Sequence, residues 1–400
     1  MCKFSNIKKY FFNYYLILFF IALTLRIFFH LFSPIDFFPD SISYVKLSNL
    51  IFTPTKIEDN LAMPGYPIFL FLSNKILFNY FALDILTSSI LVLIVSRLYY
   101  KIFKDERGAK ICAFLFAIYP YNILYSSLLL TENSFIFFAI TGYTFLYYKK
   151  IYFAFPFIII SIMIRPTIDI FNIIVIIFFS IFIFGDDFKN IMKKISIFIL
   201  FYCVFFSPWW FYNYERYGQF VKLTPALGHT LYSGNNEINK TGGGNLHEDF
   251  NFNIVKGIND PIKRDKIMKD AAIKFIIENP AKFMELSFKR FLRFFNIIPN
   301  YKKDDIYKGG IKNILIYVIS AISMIGLYLF SFLALINLDK VKLKRLSPLF
   351  VYFIILTGIH LITIASIRYR FPLEFILIIL SSFSINLYVD KLSKKFNLNN

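Results

Sequence analysis

The side chains with the most chemical content stand where apolar runs of the chain begin or end. Asp36 and Asp40 flank Pro39 after the first run, and Glu132 follows Thr131 at the start of a later one. Arg165-Pro166 joins two further runs, and Arg368 and Arg370 precede Pro372 at the last. Charge is costly in hydrocarbon, so ionisable groups at membrane ends are functional hypotheses by default. A carboxylate placed there is able to accept a proton from a hydroxyl nucleophile. A guanidinium offers a planar fork that fits phosphate, so arginines in short turns point to an anionic ligand. Each residue also has a structural reading. Asp40 after a proline suits a helix N-cap, Glu132 in a first turn complements the helix dipole, and the arginines suit snorkelling to headgroups. Spacing alone leaves both readings open.

Other polar groups carry less. Arg26 and His30 are one helical turn apart in the first run and read as a pair inside a bundle. The four histidines, at 30, 229, 247 and 360, lack metal-ligand spacing, so a zinc site is not indicated, and a divalent cation stays open. Asp304-Asp305 reads as a solvated loop run, and Trp209-Trp210 as part of an aromatic belt. Three scattered cysteines form no disulfide framework.

These groups must be positioned by membrane helices. The chain has 400 residues, 57% hydrophobic with 53 Phe and only 17% charged, which excludes a soluble globular protein. The apolar runs have the length of about twenty residues that crosses roughly 30 Å of hydrocarbon. Spans are expected at 10–32, 82–103, 111–127, 131–148, 151–165, 167–184, 195–211, 313–337, 349–367 and 371–389. The fold class is therefore an all-α polytopic membrane protein of about ten spans. The net charge of +19 is placed mostly between the runs, where topology and anionic lipid account for it without nucleic acid. With the N-terminus inside, the connections 101–107, 149–150, 186–194 and 339–345 and the tail from Asp390 all carry Lys or Arg on the cytoplasmic side. The first external loop, 33–81, is expected to hold interfacial helices at 40–51 and 68–78 around Pro64-Gly65-Tyr66-Pro67. Three regions follow: 1–211 as a catalytic membrane module, 212–312 as an external loop with a helical segment broken at Asn279-Pro280, and 313–400 as C-terminal spans with a cytoplasmic tail.

Seven motifs occur in a telling order. They are Asp40-Ser-Ile-Ser-Tyr44, Met63-Pro-Gly-Tyr66-Pro, Tyr119-Pro120 with Leu130-Thr-Glu132, Arg165-Pro166, Ser207-Pro-Trp-Trp-Phe-Tyr-Asn213, Leu231-Tyr-Ser-Gly-Asn235-Asn and Arg368-Tyr-Arg370-Phe-Pro372. Together, over about residues 10–385, they resemble the GT-C superfamily of membrane glycosyltransferases. The likeness is to the bacterial family 39 type, related to protein O-mannosyltransferases and the lipid A aminoarabinose transferase. The resemblance implies transfer of a sugar from a polyprenyl-phosphate donor to a glycan, lipid or protein acceptor, on the external face of a bacterial inner membrane. It further implies that Asp40 and Glu132 are the catalytic acids, with no organic cofactor. Asp40 is then the candidate base, and Arg165, Arg368 and Arg370 are the candidate ligands of the departing phosphate. Asp36, Tyr44, Tyr66, Asn213 and Asn235 are accessory candidates. The family's arginine before Asn213 is here Tyr212, with Arg216 one turn on. A single displacement with inversion is expected because no covalent nucleophile is evident. The competing class is a transporter or lipid flippase, which should instead carry charge near the bilayer midplane.

Overall fold

A computed structural model describes residues 2–32, 38–53, 62–244, 252–297 and 310–395. Asp36, His247 and Asp304-Asp305 lie outside the described residues. Among the described residues the regular structure is entirely helical, as expected of an all-α membrane-embedded protein. Six helices are long and apolar enough to cross a bilayer: Asn13–Phe32, Ala82–Phe103, Phe188–Tyr217, Val318–Asn337, Lys340–Ile362 and Ile367–Lys395.

The other four expected spans are shorter than drawn. The run at 111–127 is divided into Glu106–Ile118 and Pro120–Tyr125, because Pro120 has no N–H to continue the ladder. Thr131–Tyr147 and Ile151–Ile164 have 17 and 14 residues. Asn172–Phe179 runs into a π turn, Ser180–Phe184, that ends at Gly185 with φ 76°. Thr131–Tyr147 is buried on nearly every side, since it packs against both Ala82–Phe103 and Ile151–Ile164. It needs no lipid-facing stripe, and a helix that is apolar all round belongs in a core.

Contacts sort the connections to two ends. Arg107 pairs with Asp390, Asn386 Nδ2 donates to Asp105 Oδ2 at 2.7 Å, Tyr147 OH donates to the Arg345 carbonyl at 2.7 Å, and Arg345 Nη1 donates to the Ile102 carbonyl at 2.9 Å. The basic connections read as cytoplasmic are thus gathered at one end of the bundle. The two loops with their own helices lie at the other, where Asp40 of the first and Pro280–Phe294 of the second each contact Ile367–Arg370. Pro39–Leu50 and Gly65–Leu77 form the first, close to the expected bounds. Leu227–Gly234, Pro261–Glu278 and Pro280–Phe294 form the second, with the break at Asn279-Pro280 as expected. Asp260 caps Pro261–Glu278 by accepting from the N–H groups of Ile262 and Lys263. Gly65 makes the first loop's close approach possible, since a Cβ there would lie 2.6 Å from the Met163 carbonyl carbon, next to Arg165.

Candidate active site

Four side chains from four segments form one chain of ion pairs. Arg368 Nη1 donates to Asp40 Oδ2 at 2.6 Å, and its Nε donates to Glu132 Oε1 at 2.5 Å. Arg165 Nη1 donates to the same Glu132 oxygen at 2.7 Å. The order is Asp40, Arg368, Glu132, Arg165. Exposure falls from Asp40, whose side chain is 52% exposed, to Glu132, at 0%. Glu132 therefore forms the floor and Asp40 the rim. Glu132 Oε2 is buried and accepts no hydrogen bond from the described residues.

Local structure explains this convergence. Pro39 is the first residue of its helix and Phe38 its N-cap, with no side-chain cap, so Asp40 does not cap and its carboxylate is left for Arg368. Glu132 lies in the first turn of Thr131–Tyr147. Arg165 is in extended conformation between Ile151–Ile164 and the 3-10 turn Pro166–Ile168, because the residue before a proline is driven out of the α region. Arg368 is carried by the short helix Ile367–Arg370. The Arg165 guanidinium lies 4.9 Å over the Tyr369 ring, and the His360 imidazole stacks on that ring at 4.7 Å and 2°.

Behind the ion pairs is a buried polar group that the sequence reading missed. Asp84 is fully buried in the first turn of Ala82–Phe103. Its Oδ2 accepts from Tyr66 OH at 2.9 Å and its backbone carbonyl accepts from Asn133 Nδ2 at 2.7 Å. Tyr66 meets Tyr44 edge to face at 5.1 Å. Tyr44 and Tyr66 are thus placed between the Asp40 helix and Asp84, and burial pushes the Tyr44 phenol up to about 12, so it stays protonated at neutral pH. A carboxylate opening an apolar span was the available signal.

Other expected members lie elsewhere. The structure places Arg370 apart from Arg165 and Arg368: it is fully buried, pairs with Glu374 at 2.8 Å, and donates to the carbonyls of Phe294 and Asn296 and to Tyr328 OH. Glu374 in turn accepts from Tyr119 OH at 2.7 Å. Asn213 Nδ2 donates to the carbonyls of Val221 and Leu223, and Asn235 Nδ2 to those of Leu231 and Ile362, so both hold backbone. Arg216 lies over the Tyr217 ring. Trp209 and Trp210 also fasten the loop, through Nε1 donation to the carbonyls of Leu223 and Lys222. Arg26 and His30 do not pair: Arg26 donates to Ser88 Oγ and to the carbonyls of Ala22 and Ala117, and the His30 ring meets Phe81 at a tilt of 43°. Among the described residues no three His, Cys, Asp or Glu side chains gather as metal ligands.

The fold is similar to that of an oligosaccharyltransferase. The archaeal enzyme AglB from Archaeoglobus fulgidus, solved in complex with an inhibitory peptide and a dolichol-phosphate, matches 98% of this chain at a TM-score of 0.58 and 13% identity. A crystal structure of an Archaeoglobus fulgidus oligosaccharyltransferase with Zn and sulfate matches 95% at 0.54 and 14%. The chain spans about half of those proteins, 52% and 49% of their lengths. At 13% and 14% identity the likeness is one of fold. No protein-family model and no curated protein matches the chain.

Proposed function

We propose that this protein is a membrane glycosyltransferase that moves a sugar from a polyprenyl-phosphate donor to a hydroxyl of a glycan, lipid or protein acceptor at the external face. The observation that supports the reading most is Arg368 bridging Asp40 and Glu132. Arg368 uses Nε and Nη1 on the two carboxylates, which leaves Nη2 toward a further acceptor, and Arg165 uses Nη1 alone. A donor phosphate arriving at these guanidiniums competes with Asp40 for Arg368. Glu132, buried beneath, keeps both arginines in place during the exchange.

The released Asp40 carboxylate then accepts the proton of the acceptor hydroxyl as that oxygen attacks the anomeric carbon. The bond from that carbon to the phosphate oxygen breaks, and the phosphate leaves with the electron pair, its added charge held by Arg165 and Arg368. The anomeric carbon inverts because one displacement occurs. The likeness to family 39 and the fold shared with AglB, whose structure contains dolichol-phosphate, both favour a lipid-phosphate donor. The test is sugar transfer by the purified full chain from polyprenyl-phosphate-linked sugars to candidate acceptors. Wild-type transfer that is lost in Asp40→Asn and Arg368→Gln supports the reading. Transport of the donor across vesicles without any transfer selects the flippase instead.

A further inference from the structure

The helix Pro280–Phe294 has one buried face and one exposed apolar stripe. Leu286, Arg290 and Phe294 are buried against the bundle. Met284, Phe288, Phe291 and Leu292 are exposed, Phe288 at 63%. The exposed four recur at i, i+4, i+7 and i+8, which makes one stripe of a helix, and exposed Ile277 extends it back across Asn279-Pro280.

The depth of this helix follows from its contacts. The Phe295 ring lies 6.3 Å from Phe353 and 6.4 Å from Tyr328, and Tyr328 OH donates to the Phe295 carbonyl at 3.1 Å. Phe353 belongs to Lys340–Ile362, about 13 Å inside the Ile362 end at a rise of 1.5 Å per residue. A hydrocarbon layer about 30 Å thick therefore contains the end of Pro280–Phe294. Ile354 and Leu329, which follow Phe353 and Tyr328 in the two spans, are themselves exposed, so the spans also turn apolar side chains outward at this depth. Residues 261–294 hold nine Lys or Arg against four Asp or Glu, a charge that complements anionic headgroups.

We infer that Pro280–Phe294 is a half-membrane helix whose exposed stripe is covered by anionic phospholipid of the leaflet at the Asp40 end. The lipid holds the second loop down. Arg290 ties it to the end of Lys340–Ile362, because Nη1 donates to the carbonyls of Leu361 and Ile362 at 2.9 and 3.2 Å while Nη2 donates to the Gly234 carbonyl. This inference stands independently of the enzymatic reading.

The experiment places spin labels on the full chain in phosphatidylglycerol/phosphatidylethanolamine vesicles. Cys2 and exposed Cys203 are replaced by serine, and buried Cys112 is kept. Labels are introduced by Phe288→Cys and, on the polar flank, by Lys282→Cys. The Phe288 label is expected to relax with dissolved oxygen and to be shielded from a water-soluble nickel chelate, with the reverse at Lys282. Equal chelate exposure at both positions overturns the inference. So does dipolar broadening at Phe288 that disappears on dilution with unlabelled protein, which would place a second copy of the chain on the stripe. Failure here leaves the transfer assay untouched.

Discussion

Arg368 and Glu132 are 236 residues apart in the chain and 2.5 Å apart in space, Nε to Oε1. The same guanidinium reaches Asp40 through Nη1, so one planar group fixes the spacing of two carboxylates. Lysine has the charge without the fork. Arg368→Lys is therefore expected to reduce kcat by about 10²–10³-fold, the usual effect of removing one preorganised donor from a developing anion. Arg165 still partners Glu132, so the variant should elute as the wild type does in size-exclusion chromatography. Transfer within a few-fold of wild type would remove Arg368 from the phosphate site.

Asp40 offers the cleaner test of proton transfer. Its side chain is half exposed, and an exposed ion pair contributes only about 0–1 kcal/mol to stability. Asp40→Asn should thus fold normally, bind donor at least as well as wild type because Arg368 is freed, and lose about 10²–10⁴-fold in transfer rate. The check is a separate measurement of donor affinity and of single-turnover rate. A parallel loss in both would assign Asp40 to positioning.

The members of the ion-pair chain were legible in the sequence for one physical reason: a charged group at the end of an apolar span must have a partner. Arg370 also has a partner, but not in that chain, because residues two apart on a helix point to nearly opposite sides. Arg368 faces Asp40 and Glu132, and Arg370 faces Glu374 and the end of Pro280–Phe294. Asp84, in the first turn of an expected span, was readable by the same rule, whereas Arg290 is on a loop helix whose docking no local pattern records. The span pattern was legible where helices exceed twenty residues, and less so at 111–127, where burial within the bundle replaces length and Pro120 divides the run.

Asp84 provides a prediction about stability. It is fully buried, and its removal leaves Tyr66 OH without its acceptor. A buried donor stripped of its partner costs about 1–3 kcal/mol. Asp84→Ala should accordingly lower the thermal midpoint in detergent. Tyr66→Phe should lower it less, and the double variant should fall short of the sum by about 0.5–3 kcal/mol, as contacting pairs do. Strict additivity in this cycle would mean that the two side chains do not interact.

The docking of the second loop can be tested at a glycine. A Cβ on Gly234 would lie 1.7 Å from the Thr363 carbonyl oxygen, which is backbone at the end of Lys340–Ile362. Neither side can yield without moving Leu227–Gly234 away from the segment that leads into Arg368. Overpacking of this kind costs typically about 1–3 kcal/mol. Gly234→Ala should therefore speed proteolysis within residues 212–297 and reduce transfer together with it. Gly326 in the span Val318–Asn337 serves as the control, because a Cβ there meets nothing within 4 Å. Gly326→Ala should match or slightly exceed wild-type stability, since alanine restricts the unfolded chain more than glycine does. If Gly234→Ala were cleaved no faster than Gly326→Ala, the loop would not be seated on the Ile362 end of the helix, and its hold on the position of Arg368 would have to come from Arg370 and the Phe294–Asn296 carbonyls alone.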